Sequence, residues 1–575
     1  MIPAQFLWVD EYPLTPNGKI DRKNLVATEI QTDANHAPPT SQAELKLARL
    51  WTELLSVQNP GRHDNFFDLG GHSLTATQLV SRIHSEMSID IQLKDIFEHP
   101  TLAGLAQVAE SRDAHNVHSI PKLPDAQHYP LSHGQRRLWV LSQFEEARSA
   151  YNLPAALLID GPVDAKSIQS AIDQLAARHE TLRTSFEPLD GEPVQCVAPT
   201  NQVKVDQLDL RQSDDAHREA IRFAEEDAAR PFDLATPGQF RVSLLRLRDQ
   251  QYVLLLNIHH IVCDQWSLDL LVREFNCCYH GSPLPPLPSL QYRDFAAWQS
   301  HYLASDLGKR DRDYWTDKLD GELPVINLPT DFPRPPKRSF EGGIHRHELC
   351  AKHGAALQRL SCEHQASLFA VVTSIVKTLL FRYTNQDDLI VGIPVSGRNH
   401  RDLEDQVGFF VNVLPLRSQV DGNSPFVSLL QQVSQSTRET LEHQAYPFDQ
   451  LIDELNLPRD ASRSPLVDVV VTLRHETEEQ LSFGEAPMSN LMQDYHGSKY
   501  DLEFDFQLDK QQLSVTVRYS TDLFLPQTVQ RITTQLDEII RNVIESPNTA
   551  IRDLNLLSDA ERQLVIHQWN QTKTD

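Results

Sequence analysis

Apolar side chains recur at helical spacing in three segments of the first quarter of the chain. The first segment opens at Ser41 with Glu44 three residues later, which is the pattern of a capping box. The second follows a Gly-Gly-His-Ser stretch, and the third follows Pro100. The three apolar faces consist of Leu47, Trp51, Leu54 and Leu55; Ala76, Leu79, Val80 and Ile83; and Leu102, Leu105, Ala106 and Ala109. Three short amphipathic helices predict a small all-α bundle.

Beyond Gln127 the pattern changes to apolar runs of strand length that alternate with helical patterns. This alternation is typical of an α/β fold. The predicted strands are Ala155–Ile159, Tyr252–Ile258, Leu389–Val395, Val467–Leu473 and Leu513–Tyr519. The segment Leu328–Pro336 contains four prolines, which remove backbone donors and fix φ, so it is predicted to be irregular chain near the junction of two lobes.

Length and charge narrow the classes of protein. A chain of 575 residues is too long for one core, since domains average about 150 residues. The net charge of −26 disfavours binding to nucleic acid or to an anionic membrane surface. No apolar run approaches the roughly 20 residues of a membrane-spanning helix. Six cysteines without a C-x-x-C spacing, and an N-terminus without a secretory signal pattern, predict a cytoplasmic protein.

Ser73 stands at the predicted start of the second helix, directly after Gly70, Gly71 and His72. From local chemistry alone this serine is an ordinary N-cap, because its hydroxyl would accept a backbone N–H. A modification site is the other interpretation, since glycines keep bulk away and a helix N-terminus favours an attached phosphate. Both interpretations stay open on these residues alone.

The unbroken stretch Phe66–Leu74 resembles the thiolation, or peptidyl carrier, domain of nonribosomal peptide synthetases. The resemblance implies that a phosphopantetheinyl transferase attaches 4′-phosphopantetheine to Ser73, with Gly70, Gly71 and His72 forming the attachment turn. Leu14–Arg22 is similar to the last motif of an adenylation domain, in which the lysine matching Lys19 assists adenylate formation. An upstream adenylation domain is therefore an expected partner.

A pair of histidines, His259 and His260, follows the predicted strand that begins near Tyr252, and Asp264 comes four residues after the second. Neighbouring residues of an extended chain point to opposite sides, so the two histidines are expected to have different roles. Two histidines and one carboxylate make a poor zinc site, and no metal is predicted. A buried structural histidine is the plain interpretation of either residue, whereas a histidine held by polar groups near neutral pH can position or accept a proton.

The segment around His260 resembles the His-His-x-x-x-Asp-Gly motif of condensation domains, and six further motifs accompany it in family order. Those six are Leu131–Trp139, Arg178–Phe186, Tyr292–Trp298, Val407–Asn412 running on to Arg417, His443–Asp449 and Arg459–Leu466. The resemblance implies a two-lobed α/β fold of the chloramphenicol-acetyltransferase type, with a tunnel between the lobes.

For the site, the resemblance implies a catalytic set of His260, Asp264 and His259, in which His260 faces the channel and Asp264 mainly holds the histidine loop. Asp264 is expected to pair with an arginine, Arg183 being the first candidate and Arg398 the second. Gln265 stands where the family has glycine, and we expect it to add bulk or a hydrogen bond beside the reaction point.

The expected organisation follows from these motifs. Residues 1–32 are predicted to be an adenylation-domain tail, 40–112 the carrier, 128–300 and 301–555 the N- and C-lobes of the condensation domain, with 33–39 and 113–127 as linkers and 556–575 leading to a next adenylation domain. The resemblance implies amide-bond formation between a donor thioester, expected to be of L configuration, on Ser73 and an acceptor on a downstream carrier, so downstream adenylation and carrier domains are expected partners. An inactive recruitment domain and an epimerisation-type domain are the alternatives.

Overall fold

The computed structural model describes residues 37–55, 57–71, 73–87, 89, 91, 93–112, 120–200, 203–458, 460–475, 481–484, 486–491, 497–509 and 512–568. The predicted adenylation-like segment with Lys19 lies outside these residues, as do His72 and the end of the chain from Trp569. The helices are α1 Gln42–Leu55, α2 Ser73–Met87, α3 Leu93–Glu98, α4 Leu102–Ser111, α5 His133–Leu141, α6 Ala165–Arg178, α7 Ala216–Ala229, α8 Gln265–His280, α9 Tyr292–Ala304, α10 Asp306–Lys318, α11 Ala351–Glu363, α12 Leu368–Thr384, α13 Phe426–Glu442, α14 Phe448–Glu454, α15 Pro526–Glu545 and α16 Asp559–Gln563.

The strands belong to three sheets. They are β1 Tyr129–Pro130, β2 Asn152–Asp160, β3 Thr184–Leu189, β4 Glu192–Val197, β5 Val205–Asp209, β6 Phe240–Arg248, β7 Gln251–His259, β8 Gly342–Glu348, β9 Asp388–Val395, β10 Asn412–Gln419, β11 Val469–His475, β12 Met488–Asn490, β13 Leu502–Asp509 and β14 Gln512–Ser520. A 3-10 turn, His260–Val262, follows β7 directly.

The chain divides into two units, and the smaller one includes α1, α4 and the loop between residues 57 and 71. Its core forms because Leu47, Leu50 and Trp51 lie on one face of α1 and are fully buried, with the Trp51 ring 5.3 Å from that of Phe66. The predicted start of α1 is confirmed in part: the Glu44 N–H donates to the Ser41 hydroxyl, but the Glu44 carboxylate accepts from the Thr40 N–H. The division groups His72–Lys94, and so α2, with the larger unit, and the predicted limits of the carrier stay a prediction.

In the larger unit, a five-stranded sheet of order β12-β2-β7-β6-β5 carries the histidine pair. Strand β7 is its centre, and Val253, Leu254 and Leu255 are buried on both faces of the sheet. Helices α6 and α8 pack together over one face through apolar residues at helical spacing, and α7 packs on the other side through Ala220 and Ala224. This packing fixes the end of β7, where the chain leaves the sheet at His259.

The second half of the larger unit has a six-stranded sheet of order β10-β9-β11-β13-β14-β8. It is mostly antiparallel, with β11 parallel to both β9 and β13. Strand β12 comes from this half of the chain but does not join its sheet. Met488 pairs with Ile159, so β12 extends the five-stranded sheet beyond β2. The two halves thus share a strand as well as an interface.

All five predicted strands are confirmed. In each, at least one predicted end lies within two residues of the observed end. The two-lobed α/β fold is confirmed as well, and Leu328–Pro336 contains neither helix nor strand, as its prolines predict. The short helix α3 was not predicted. Among the described residues, no single helix has the length and apolar composition needed to cross a bilayer; α11 and α12 together pass that test only as a pair bent by 105°.

Candidate active site at the end of strand β7

The two histidines point in different directions because the chain changes conformation between them. His259 is the last residue of β7 and is 2% exposed, whereas His260 opens the 3-10 turn and is partly exposed. The backbone N–H of His260 donates to the Tyr151 carbonyl at 2.8 Å, and that of His259 donates to the Gln239 carbonyl at 2.9 Å. The predicted difference between the two side chains is therefore present.

One ring nitrogen of His260 is hydrogen-bonded to the backbone, and the other can accept a hydrogen bond. Its Nδ1 lies 2.7 Å from the Cys263 carbonyl, and because a carbonyl only accepts, Nδ1 must carry the hydrogen. Nε2 is then the lone-pair nitrogen of the neutral ring. The Phe409 ring lies edge-on, 4.9 Å from the imidazole. Burial, with the nearby Lys499 charge, lowers the pKa of His260 well below its ordinary value, so the ring is neutral near pH 7.

His259 supports the turn from inside the protein. Its Nδ1 accepts a hydrogen bond from the Ile261 N–H at 3.1 Å, and its ring lies 5.9 Å from that of Phe232. Burial, followed by the charges of Lys499 and Arg241, lowers the pKa of His259 to about 3. A neutral, buried imidazole that caps the 3-10 turn has a structural role here.

Asp264 pairs with Arg398 through two hydrogen bonds of 2.8 and 3.1 Å, and both residues are only 2% exposed. The expected pairing with Arg183 is wrong. That guanidinium is held by the carbonyls of Ala176 and Ala198, with Glu180 3.7 Å away, and so is committed to its own turn.

The Asp264 carboxylate has no free oxygen with which to reach a substrate. Besides Arg398 it accepts the Ser267 N–H at 2.9 Å, as the N-cap of α8, and the Phe410 N–H at 3.0 Å. Burial would raise the pKa of Asp264, but Arg398 and these donors lower it below its ordinary value, so it stays ionised. Asp264 thus fixes the position of α8 and of the His260 turn and does no chemistry itself.

Residues from the other sequence motifs converge on the same turn. The Gln135 amide donates to the Ile261 carbonyl at 3.3 Å. The Tyr292 hydroxyl donates to the Phe409 carbonyl at 2.6 Å and lies 2.7 Å from the Ser132 hydroxyl. Position 408 must be glycine, since a Cβ there would overlap the Tyr292 ring. The motifs are therefore parts of one packed support for His260 and Phe409.

The side chain of Gln265 is engaged within its own helix, α8. Its side chain is exposed, and its amide donates to Asp269 at 3.1 Å along α8. Its backbone φ is not positive, so nothing in the local conformation requires glycine. The expected hydrogen bond at the reaction point is not made; the amide bonds within its own helix.

The glycine turn before α2 suits a modified serine. Gly70 has a φ of +100°, and a Cβ on Gly71 would overlap the Phe66 ring, so both positions favour glycine. Ser73 is the first residue of α2, a 15-residue helix whose N-terminus would favour a phosphate. The described residues of this turn therefore fit a phosphopantetheine attachment. Among the described residues there is no group of three or more His, Cys, Asp or Glu side chains that could hold a metal ion.

Comparison with known families agrees with this geometry. The family model described as the condensation domain matches residues 125–566, and that described as a phosphopantetheine attachment site matches residues 46–109. The chain belongs to the condensation-domain family. The attachment-site match indicates covalent 4′-phosphopantetheine as the cofactor of the carrier segment.

The relatives are large synthetases. Surfactin synthase subunit 1 of Bacillus subtilis (strain 168) is 38% identical over 576 residues, which is all of this chain and 16% of that protein. Tyrocidine synthase 3 of Brevibacillus parabrevis is 36% identical over 574 residues, again all of this chain and 9% of that protein. The chain therefore spans a small part of the curated relatives that it matches.

Among solved structures, the X-domain from teicoplanin biosynthesis superposes with a TM-score of 0.70 at 25% identity, covering 76% of this chain and all of that one. The first condensation domain of the calcium-dependent antibiotic synthetase, in complex with a substrate analogue, superposes with a TM-score of 0.61 at 22% identity, covering 76% of this chain and all of that one. At that identity the second likeness supports the condensation-domain fold alone.

Proposed function

We propose that this condensation domain forms an amide bond between a donor thioester and an acceptor amine, and that the carrier segment presents the donor on Ser73. The new C–N bond replaces the C–S bond of the thioester, and the proton lost by the amine leaves on the released thiol. The observation that carries the proposal is the Nε2 of His260, which has no hydrogen-bond partner among the described residues, while the Cys263 carbonyl holds the other ring nitrogen. When bound to Ser73, 4′-phosphopantetheine supplies the thiol that carries the acyl group as a thioester.

The Nε2 atom of His260 accepts a hydrogen bond from the attacking amine and orients it towards the thioester carbonyl. The lowered pKa of His260 makes the neutral ring a weak base, so we infer that it orients the amine rather than storing its proton. The amine must itself be unprotonated, and an unperturbed α-amino group has a pKa of about 7.7–8.0. The midpoint of the acid limb of the pH–rate profile should therefore follow the pKa of the acceptor amine.

The remaining residues act by positioning. Asp264 and Arg398 hold the turn that presents His260, and the Phe409 ring places an apolar edge against the imidazole. Gln265 is compatible with activity, because its amide bonds to Asp269 within α8. This is why we favour an enzyme over a recruitment domain.

The wider assignments rest on the order of motifs and on the synthetase relatives. We propose that the working partners are upstream and downstream adenylation domains, a downstream carrier that brings the acceptor, and a phosphopantetheinyl transferase. The donor is of L configuration, since no epimerisation unit stands between the carrier segment and the condensation domain. Six cysteines that all remain free thiols support a reducing, cytoplasmic location.

The test is to load Ser73 with an aminoacyl-phosphopantetheine, add an acceptor aminoacyl thioester, and detect the dipeptidyl product by mass spectrometry. Ser73→Ala abolishes loading, whereas His260→Gln keeps loading but loses product by about 100-fold or more. Loaded wild-type protein that forms no product with a range of acceptors would refute the enzyme and favour recruitment.

The two roles of His260 are separated by acceptors whose amines differ in pKa. If His260 only orients the amine, the midpoint of the acid limb moves with the acceptor. A midpoint that stays fixed across acceptors would instead assign the limb to His260 as a base.

A further inference from the structure

A shallow depression with an enclosed volume of only about 10 Å³, the rest of it open to solvent, lies in the C-terminal half of the larger unit. Two half-buried cations, Arg338 and Lys499, line it together with Phe340, Tyr500 and three serines. The two carboxylates in the lining are already engaged. Asp501 forms an ion pair with Arg334, and Asp522 accepts the N–H and hydroxyl of Ser339. The charge left over in the depression is positive.

Neither of these cations has an acidic partner. Among the described residues no carboxylate oxygen lies within 4 Å of the Lys499 ammonium or the Arg338 guanidinium. The Lys499 Nζ sits 4.9 Å above the Tyr151 ring, and Arg338 donates to the Lys499 carbonyl at 2.7 Å while it lies 4.2 Å above Phe340. Half-buried cations without counter-ions cost free energy, and a bound anion would offset that cost.

The charged residues around Lys499 do not act as its counter-ion. Arg137 approaches the same cluster but pairs with Asp449 at 3.3 Å. Glu503 attracts Lys499 from a distance, yet its carboxylate lies 4.0 Å from Arg518, a further cation near Lys499. Burial and these cations lower the pKa of Lys499 to about 8, which is still high enough for the amine to be mainly charged at pH 7.

Lys499 also adjoins the reaction centre. Tyr151, under its ammonium, accepts the backbone N–H of His260 at 2.8 Å. The Lys499 charge contributes to lowering the pKa of both His259 and His260, which it can do only from close by. Lys499 is therefore a neighbour of the histidine turn.

We propose that Lys499 provides an anion-binding subsite beside the reaction centre, which holds an anionic group of a tethered substrate. Two groups of a thioester substrate have this chemistry: a carboxylate on the acyl chain and the phosphate of the pantetheine arm. The inference rests on the proposed function, since it assumes that a thioester substrate enters beside His260.

The test uses matched substrates. Glutamyl and glutaminyl thioesters have the same shape and differ by one charge, and each is prepared on pantetheine and on 4′-phosphopantetheine. If the acyl carboxylate binds, we expect the wild-type protein to have at least tenfold higher kcat/KM for the glutamyl than for the glutaminyl thioester. If the phosphate binds, we expect the same preference for the phosphopantetheine thioester over the pantetheine thioester. Lys499→Met reduces that preference to less than threefold, and Lys499→Arg keeps most of it.

Lys309→Met is the control, because Lys309 is exposed and pairs with Asp306 on α10. It leaves the preference as in the wild type. Equal preference in the wild type and in Lys499→Met, for both the chain and the arm, would overturn the subsite.

Calorimetric binding of the same four compounds, made as non-reactive amide analogues, separates this inference from the proposed function. If no product forms with any substrate, the enzyme proposal fails. The binding ratios of wild type and Lys499→Met then still decide whether the subsite exists.

Discussion

Replacing Arg398 with methionine should be strongly destabilising, because it leaves a buried carboxylate without its counter-ion. The guanidinium makes two bonds to Asp264 and one of 2.7 Å to the Ser267 hydroxyl, and it lies 4.2 Å from the Phe410 ring. Methionine can keep the ring contact but none of the hydrogen bonds. Breaking a buried pair on one side costs about 3–5 kcal/mol. The matched control is Arg222→Met, whose exposed pair with Glu226 is worth about 0.2–1 kcal/mol.

The assay is urea unfolding of the two variants followed by tryptophan fluorescence. The Arg398→Met deficit should shrink as the pH is lowered from 8 to 5, since burial raises the pKa of Asp264 and only its partners keep it low. Adding Asp264→Asn to Arg398→Met should restore at least about 1 kcal/mol by removing the buried charge. If Arg398→Met cost no more than Arg222→Met, or if the double variant were less stable than the single one, this account of the pair would be refuted.

Three further predictions concern single positions. Gly408→Ala should lower stability by about 1–3 kcal/mol and reduce product formation, because its Cβ overlaps the Tyr292 ring; unchanged unfolding and activity would contradict this. Gln265→Gly should leave kcat/KM within about threefold of wild type, since the side chain bonds only within α8, and a gain of tenfold would show that it obstructs the site. Burial lowers the pKa of Lys377 in the folded protein to about 7. Between that pH and the ordinary lysine pKa, the unfolded chain binds one more proton than the folded protein, so the free energy of unfolding should rise by about 1.4 kcal/mol per pH unit towards pH 9. Lys377→Met should lack that rise in urea midpoints between pH 7.5 and 9.

The sequence predicts those parts of the fold whose signal is local. Strand β7 is an apolar run buried on both faces, as its sequence predicts. The different surroundings of His259 and His260 are also expected, although the structure produces them by ending β7 at His259 and opening a 3-10 turn at His260. Strand β12 has no such signal, because Met-Ser-Asn is short and without apolar alternation; it is placed by pairing with β2 and by packing of Met488 against the core.

The partner of Asp264 could not be chosen from the sequence, since both Arg183 and Arg398 are distant along the chain. What decides the choice is that neighbouring carbonyls already hold Arg183, and these contacts exist only in the folded chain. Lys499 is a similar case. Nothing in its sequence neighbourhood marks it, and its position over Tyr151 arises from packing between the two lobes.

The pairing of β12 with β2 also bears on how the chain is made. About 330 residues separate Ile159 from Met488, and at 5–20 residues per second a ribosome needs on the order of 15 to 65 s to cover that distance. During this interval the outer edge of β2 has backbone donors and acceptors that await their partner. An N-terminal lobe produced alone would keep that edge open, and so it should aggregate or recruit chaperones more readily than the two lobes synthesised as one chain.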